Sequence, residues 1–213
     1  MKAVYPMEFD TPHRGLQWLE YYGQHKVYHP GWDLNRGVGN QDLGDDVFAP
    51  VNGEVEYISP EPTRWNYHNG GFGRFIILYH SAYGVWTRYA HLQKVLVKKG
   101  DKVEVGDKIG SVGNSGTKYV HLHFEVWKAE TYKIQQNHHR KFAYYPSGKT
   151  KAWVNDHYVD GLKWIDDLNQ KPGWQDEVEE WAGKYLKDVP GFLADPSPHK
   201  ILVLIKNVLE KNN

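Results

Sequence analysis

The residues of this sequence best suited to chemistry stand together in one short run, His121-Leu122-His123-Phe124-Glu125. Polar and apolar residues alternate in it, which predicts a β-strand. Because residues i, i+2 and i+4 of a strand share a face, both imidazoles and the carboxylate should lie on one side. Two histidines on one face can bind one metal ion, or one can bind it while the other transfers protons. An H-x-H pair alone is also typical of a partly buried strand, so further ligands are needed to favour a metal site.

Two other local patterns supply such ligands. His29 and Asp33 flank Pro30-Gly31, which makes a helix unfavourable and predicts a turn that brings both side chains to one point. His91 lies in a third context, between apolar residues. The chain has twelve histidines and no cysteine. Thiolate metal sites are therefore excluded, and any zinc site must use histidine and carboxylate ligands.

Composition narrows the partners that the protein can be expected to have. Lys+Arg and Asp+Glu each total 26 in the 213 residues, so net charge gives no reason to expect nucleic acid or an anionic membrane. The longest apolar run, Ile201 to Ile205, is far too short to span a bilayer. Residues 1–15 lack the basic and apolar regions of a signal peptide, so either the chain is made without one or an export segment is missing. We expect no nucleic-acid and no membrane partner, and the sequence makes no prediction of oligomeric state.

The pattern of short apolar runs and turns from Val47 onwards predicts a mainly β protein. Asn52-Gly53 is a strong hairpin signal. Two segments have similar sequences, Lys99 to Val103 and Val105 to Ile109. They predict Gly-Asp turns between short strands. Residues 128–151 are polar and basic, and we expect a hairpin or a long loop there.

Beyond residue 170 the pattern becomes helical. Trp174, Val178, Trp181 and Tyr185 fall at helical spacing, and Ile201 to Leu209 predicts a second short helix. We therefore predict one domain over residues 1–170, with an insertion at about 128–157, and a helical C-terminal appendage over 171–213. The appendage either packs on the domain or serves as a binding or dimerising element.

From about Tyr28 to Leu168 the chain resembles the lysostaphin-like, or LytM-type, zinc endopeptidases. The phrases that carry the resemblance are H-x-x-x-D at 29–33, Ala-Pro-Val-Asn-Gly-Glu-Val at 49–55, Gly-Phe-Gly-Arg at 71–74, Tyr-Ala-His-Leu at 89–92, Val-Lys-Lys-Gly-Asp-Lys-Val at 97–103, residues 106–113 and His-Leu-His-Phe-Glu at 121–125. Residues 158–162 are similar to the closing strand and short helix of that domain. The resemblance implies an antiparallel, barrel-like β-core with a duplicated hybrid motif and a groove that accepts a peptide. Together with the short C-terminal helices predicted from residue spacing, this gives a mainly β fold.

The resemblance also implies a Zn²⁺ ion held by His29, Asp33 and His123. Zinc in hydrolases commonly has three protein ligands, whereas structural zinc usually has four. Glu125, on the same strand face, either holds a ligand histidine in one tautomer or makes a plain structural contact.

His91 and His121 are implied to lie beside the metal as catalytic residues that do not bind it. In our interpretation the metal activates a water and polarises a peptide carbonyl, while one of these histidines takes the proton and passes it to the leaving amine. Strand geometry favours His121 as the base because it shares a side with His123. The sequence leaves both assignments open.

The function that we expect is that of a zinc-dependent endopeptidase, which hydrolyses stem or cross-bridge peptides of bacterial peptidoglycan. It would act at the cell wall, either as a phage-type endolysin released by a holin or as the mature part of an exported wall enzyme. The alternatives are a non-catalytic wall-binding or regulatory module of the same fold, and a glycan-binding β-domain with structural zinc. Which bond is cut is not predicted.

Two departures from the family pattern are expected to shape the groove. Residues 116–120, before His121, are shorter and bulkier than the usual run and should reshape one wall. The insertion at 128–151 should form another wall or a cap. His138 and His139 lie in it, and we interpret them as ordinary surface histidines, since metal ligands normally lie on supported elements.

Overall fold

Antiparallel β-structure makes up most of the regular structure in the described part of the chain, which confirms the predicted mainly β fold. A computed structural model describes residues 2–11, 15–60 and 68–170. The helical appendage predicted at 171–213 lies outside the described residues. The division of the chain at residue 170 therefore stays a prediction.

Short strands follow one another along the described residues. In chain order they are β1 (Tyr21–Tyr22), β2 (Val27–Tyr28), β3 (Trp32–Leu34), β4 (Asp46–Phe48), β5 (Gly53–Ile58), β6 (Ile76–His80), β7 (Val85–Ala90), β8 (Lys94–Val95), β9 (Lys102–Val103), β10 (Lys108–Ser111), β11 (Leu122–Trp127) and β12 (Tyr158–Val159). The largest sheet has the order β12-β11-β7-β6-β5-β9, and β3 also pairs with β11. β4, β10 and β8 form a smaller sheet.

The central strands of the largest sheet are covered on both faces. Every residue of β11 is buried. In β6, Ile76 and Leu78 join a core on one face, whereas Ile77 joins a second core on the other. Strands that are buried on both faces read as nearly continuous apolar runs, as Phe75 to Leu78 does. The sheet is therefore a firmly packed support for side chains at its strand ends.

The segment from residue 128 to 157 covers the second core, and its secondary structure differs from our prediction. It contains two helices, α1 (Ala129–Asn137) and α2 (Lys151–His157), rather than a hairpin or a long loop. The buried residues of α1 are polar, Thr131 and Gln135, one turn apart. The prediction was wrong because a helix with a polar buried face shows no apolar period in its sequence.

Gln135 fixes the chain that follows α1. Its side chain donates to Tyr144 O at 2.9 Å and accepts from Tyr144 N at 3.0 Å, while its own carbonyl accepts from Phe142 N at 2.8 Å. Phe142 is buried and stacks on Trp127 of β11, with ring centroids 6.4 Å apart. The segment is thus held to the sheet by hydrogen bonds and by aromatic packing.

The two Gly-Asp segments form equivalent turns, as predicted. Lys98 N donates to Asp101 Oδ2 at 2.7 Å, and Glu104 N donates to Asp107 Oδ2 at 2.8 Å. Our prediction of a hairpin at Asn52-Gly53 is wrong, because β4 before this turn and β5 after it belong to different sheets.

The strand and helix expected at residues 158–162 are present as β12 and α3 (Gly161–Gln170). Leu162 and Ile165 of α3 are buried in the first core. A Cβ at Gly161 would lie 2.7 Å from Phe124 Cε1, so the small residue lets the helix approach β11 closely.

None of the helices in the described ranges is long and apolar enough to cross a membrane.

Candidate metal centre and active site

The register of three neighbouring strands gathers the predicted site residues. On β11, His123 is opposite Asp33 of β3 on one side and opposite Ala90 of β7 on the other. His91 directly follows Ala90, and His29 lies four residues before Asp33. Residues directly opposite each other in antiparallel strands have Cβ atoms about 4.5–5.5 Å apart. The sheet therefore brings side chains from three separate parts of the chain to one place.

His29, Asp33 and His123 each direct one donor atom to a common point. His29 Nε2 lies 3.2 Å from Asp33 Oδ1 and 3.2 Å from His123 Nδ1. Asp33 Oδ1 lies 2.8 Å from His123 Nδ1. Two donors of a tetrahedral zinc ion, each about 2.0–2.1 Å from it, are roughly 3.3 Å apart. The donor types and their spacing therefore fit Zn²⁺, with the three protein ligands that are typical of a catalytic site.

Hydrogen bonds from the ring nitrogens outside the cluster orient His29 and His123, the two histidines that could bind the metal. His29 Nδ1 donates to the backbone carbonyl of Gln17 at 3.3 Å, which leaves Nε2 for the metal. His123 Nε2 donates to Glu125 Oε1 at 2.6 Å, which leaves Nδ1. The two histidines would thus bind through different ring nitrogens, and each orientation is fixed by an acceptor behind the ring.

His91 and His121 lie beside this cluster and outside the donor set. Their ring centroids are 4.5 Å apart, and His121 Nε2 lies 3.7 Å from Asp33 Oδ1. His91 Nδ1 donates to Ser115 O at 2.9 Å, and His121 Nδ1 donates to Tyr119 O at 3.1 Å. A carbonyl oxygen can only accept, so in each neutral ring Nδ1 carries the proton. Both histidines therefore offer Nε2 as a proton acceptor.

The backbone of His91 is unusual in a way that fits a functional residue. Its φ is +63°, in the left-handed region that residues other than glycine seldom adopt. Its N–H donates to Phe72 O at 3.0 Å, and Leu92 N donates to Arg74 O at 3.0 Å. Strained backbone of this kind is held by surrounding contacts and is common at active sites.

Burial sets the protonation state of the two candidate catalytic histidines. It lowers the pKa of His91 well below its ordinary value, and the charges of His121 and His123 lower it further. Burial also lowers the pKa of His121, although Asp33 opposes this. Burial therefore favours the neutral form of both imidazoles.

Neighbouring charges and hydrogen bonds hold Asp33 and His123, two of the candidate metal ligands, in their charged forms in the metal-free protein. Burial would raise the pKa of Asp33, but the charges of His29 and His121 and a hydrogen bond from His123 outweigh it and hold that pKa well below its usual range. Burial would lower the pKa of His123, but hydrogen bonds to Asp33 and Glu125 raise it to about 9. A metal ion that binds His123 must therefore displace a proton.

Two adjoining cavities form a cleft over the cluster. The smaller one, of about 200 Å³, is lined by all five of the predicted site residues together with Phe72, Gly116 and Tyr145. The larger one, of about 560 Å³, extends past Asn35, Val38 and Tyr119. They share Leu16, Tyr22, Asp33 and His121. Residues 116–120 and the segment 128–151 therefore both contribute to the walls, as expected from their departure from the family pattern.

Sequence reasoning missed several residues of the cleft and its support. Tyr22 and Tyr145 line the smaller cavity, but aromatic residues in irregular segments carry no signal of that role. Arg88, a charged residue inside a strand of apolar neighbours, is fully buried against Glu125. That burial could have been suspected from its position three residues before His91. His139 is exposed, as expected of a surface histidine.

The model of Peptidase family M23 matches residues 27–137, a range that includes all five predicted site residues. That range is more than half of the chain. The chain belongs to peptidase family M23. The resemblance to lysostaphin-like zinc peptidases is thereby confirmed, and Zn²⁺ is the cofactor that fits both this family and the observed His-Asp-His donor set.

Curated proteins are similar to parts of the chain. The chain is 46% identical over 85 residues to the peptidoglycan DD-endopeptidase ShyA of Vibrio cholerae, covering 39% of this chain and 18% of ShyA. It is 35% identical over 83 residues to lipoprotein NlpD of Yersinia enterocolitica, covering 39% of this chain and 77% of that one. An uncharacterized metalloprotease of Buchnera aphidicola is 50% identical over 56 residues, covering 26% of this chain and 15% of its own length. The chain thus spans less than a fifth of two of these three relatives.

Solved structures of this type are also similar. LytU is 25% identical, with 76% of this chain and 90% of LytU covered at a TM-score of 0.49. A zinc-containing peptidase from Vibrio cholerae is 28% identical, with 59% of this chain and 36% of that one covered at a TM-score of 0.43.

Proposed function

We propose that this M23 protein is a zinc-dependent endopeptidase that hydrolyses peptide bonds of bacterial peptidoglycan, in the stem or in the cross-bridge. The observation that carries the proposal is the cleft that holds three convergent candidate metal donors beside two imidazoles whose Nδ1 atoms donate to backbone carbonyls. Membership of a peptidase family and similarity to ShyA, named as a peptidoglycan DD-endopeptidase, support the reaction and the substrate class. Similarity to ShyA, whose name gives peptidoglycan as its substrate, supports action at the cell wall.

His29, Asp33 and His123 are the residues that would hold the metal. Zinc bound there supplies a Lewis acid that polarises a peptide carbonyl and makes water a better nucleophile. Three protein ligands favour this use over a structural zinc site, which is usually closed by four.

His121 and His91 move the proton. His121 Nε2, 3.7 Å from the ligand atom Asp33 Oδ1, is placed to take a proton from the attacking water. Its Nδ1–H stays on Tyr119 O throughout, so only Nε2 gains and loses a proton. His91, whose neutral ring also offers Nε2 and whose centroid lies 4.5 Å from that of His121, is the alternative acceptor of that proton. The protonated His121 then donates to the leaving amine.

The cleft accounts for peptide binding. Its two lobes meet at Asp33 and His121, so a peptide that crosses the site would have residues on both sides of the reacting bond. Tyr145 on the smaller lobe and Tyr119 on the larger one are the aromatic contacts that we assign to substrate. The interpretation as a phage endolysin stays a prediction.

A non-catalytic wall-binding module is the alternative. Relatives of that kind are expected to lack metal ligands, whereas all five histidine and aspartate positions are filled here. The filled set favours the enzyme.

Mass spectrometry of peptidoglycan fragments distinguishes the two functions. Purified sacculi are incubated with the zinc-loaded protein, with a chelated sample, with His121→Ala and with His139→Ala as a surface control. New peptide termini produced by the zinc-loaded wild type and the control alone would support the proposal and identify the bond. Wall binding without new termini, across several wall chemotypes, would support the binding module.

A further inference from the structure

A buried ion pair lies directly behind the metal donors. Arg88 of β7 and Glu125 of β11 are both fully buried, and Arg88 NH2 donates to Glu125 Oε1. The register places these two residues opposite each other, two pairs away from His123 and Ala90 along the same two strands and on the same face. Taking two charges out of water is costly, so a buried pair of this kind is weak evidence for stability. The role of this ion pair is therefore to be found in the side chains that it positions.

The carboxylate of Glu125 receives three donors. Oε1 accepts from His123 Nε2 at 2.6 Å and from Arg88, and Oε2 accepts from Trp127 Nε1. Trp127, Arg88 and Glu125 are fully buried, so water does not replace any of these bonds. The His123 bond is the one that keeps Nδ1 directed at Asp33 and His29.

Arg88 is held in turn by contacts that reach the cleft wall. Its NH1 donates to Phe142 O at 3.0 Å. Its guanidinium carbon lies 3.5 Å from the centroid of the Phe72 ring and 4.9 Å from a Trp127 ring centroid. Phe72 lines the smaller lobe of the cleft, and Phe142 belongs to the segment that carries Tyr145.

We propose that Glu125 and Arg88 are positioning residues of the metal centre. Glu125 occupies the Nε2–H of His123 so that Nδ1 faces the metal, and Arg88 fixes Glu125 in that pose by using Phe142 O as a second anchor. The proposal rests on the zinc site of the proposed function. It assigns the segment 128–157 a part in holding the metal centre in addition to forming a wall.

A substitution that removes both acceptor oxygens tests the role of the carboxylate. Glu125→Leu keeps a side chain of similar size and leaves no acceptor, whereas the amide oxygen of a glutamine could still accept from His123 and Arg88 together. His123 Nε2 then loses its acceptor, and the tautomer with Nδ1 free is no longer favoured. Zinc affinity, measured by competition with a chromophoric chelator, should fall about 10- to 100-fold, the usual effect of losing a partner behind a ligand histidine.

A second variant separates positioning from folding, because Glu125→Leu also leaves Arg88 buried without its counter-charge. Arg88→Met/Glu125→Leu removes both charges and should recover resistance to urea in the presence of EDTA. Thr87→Val is the matched control: Thr87 is buried on the same strand, but its hydroxyl bonds His80 on the opposite side from Glu125. It should lower stability and leave zinc affinity within about twofold of the wild type, since it touches no ligand.

The expected result is that the double variant regains stability and keeps weak zinc binding. If zinc affinity returns together with stability, or if Glu125→Leu binds zinc as tightly as the wild type, the pair is only structural and the proposal is overturned. If the wild type itself binds no zinc, both this inference and the proposed function are overturned. If zinc affinity is unaffected by the variants, only the positioning role is lost.

Discussion

Asp33 and His123 are directly opposite each other in the antiparallel pairing of β3 with β11, with Asp33 Oδ1 2.8 Å from His123 Nδ1. The two residues are 90 positions apart in the chain. A shift of one residue in this register would present Trp32 or Leu34 to His123 instead, because side chains alternate between the faces of a strand. The candidate metal centre thus depends on the pairing of a three-residue strand with the middle of the sheet.

Removing one metal donor should abolish stoichiometric zinc binding. Asp33→Asn retains the shape and loses the charge that offsets the metal, so zinc affinity should fall by more than about 100-fold, beyond the usual effect of a residue behind a ligand. Isothermal titration of the apo-protein measures this. His139→Ala, at an exposed position outside the cluster, should bind one zinc ion as the wild type does. Equal zinc affinity of Asp33→Asn and the wild type would exclude Asp33 as a ligand.

Replacing a catalytic histidine should separate activity from metal binding. His121→Ala should lower kcat by about 100- to 10 000-fold, the usual contribution of general acid–base catalysis, with zinc content unchanged. His91→Ala should also lower kcat without loss of zinc, since its Nδ1 bonds Ser115 O and its ring lies outside the donor set. Activity on a defined peptide and metal analysis of the same samples are the measurements. Loss of zinc from either variant would mean that the histidine replaced in that variant is a metal ligand.

The loop before His121 should tolerate no side chain at Gly116. Its φ is +78°, and a Cβ there would lie 2.4 Å from Gly71 O and 2.5 Å from Gly73 N. Gly116→Ala should therefore displace its own loop and the loop at Gly71 and Gly73 that it contacts. Ser115, whose carbonyl accepts from His91 Nδ1, should move with them. A displacement of about 1 Å can cost about 100-fold in activity, so we expect a loss of that order.

Gly106→Ala is the control for this loop. Gly106 has a φ of +85°, and a Cβ added there would have nothing within 4 Å, so the substitution should cost only the backbone strain of about 1–2 kcal/mol. Thermal melting and kcat of both variants are compared. Similar activity in the two variants would show that the contact between the loops is not needed for catalysis.

Stability at acidic pH should depend on His80, far from the metal donors in the sheet. His80 Nδ1 donates to Asn52 O at 2.9 Å, and Nε2 lies 2.8 Å from the hydroxyl of Thr87. Burial lowers the pKa of His80 from 6.5 to about 4. As the pH falls below 6.5 the unfolded chain takes up this proton first, so stability present at neutral pH is lost between pH 6.5 and pH 4. At about 1.4 kcal/mol for each pKa unit, the loss is roughly 3 kcal/mol.

Urea unfolding in the presence of EDTA at about pH 7.5 and about pH 4.5 measures this loss. His80→Gln has no such proton to gain, so its free energy of unfolding should fall less than that of the wild type between these pH values. The same fall in both proteins would mean that other groups cause the acid sensitivity.

The motifs identified the site because they impose local constraints on the chain. Alternation placed His123 and Glu125 on one strand face, and they are hydrogen-bonded there. The Pro30-Gly31 turn predicted that His29 and Asp33 would meet, and their side chains are 3.2 Å apart. The roles of the five site residues were implied by the family resemblance, and they stay proposals that the variants above test.

Features that depend on long-range packing were not predictable in this way. The helix α1 has a polar buried face that is satisfied by Tyr144 and His157, so its sequence shows no apolar period. Asn52-Gly53 has the composition of a hairpin turn, but the strand after it pairs with β6 and β9. The contact of Arg88 with Phe142 joins residues 54 positions apart, and no local pattern predicts it.

The most direct test of the account is anomalous diffraction at the zinc edge from crystals of the zinc-loaded protein. The account predicts one peak at about 2.0–2.2 Å from each of His29 Nε2, Asp33 Oδ1 and His123 Nδ1, with His91 and His121 beside it and not bound. A peak bound by His91 or His121, or one at His138 and His139 with the three donors left without metal, would contradict it.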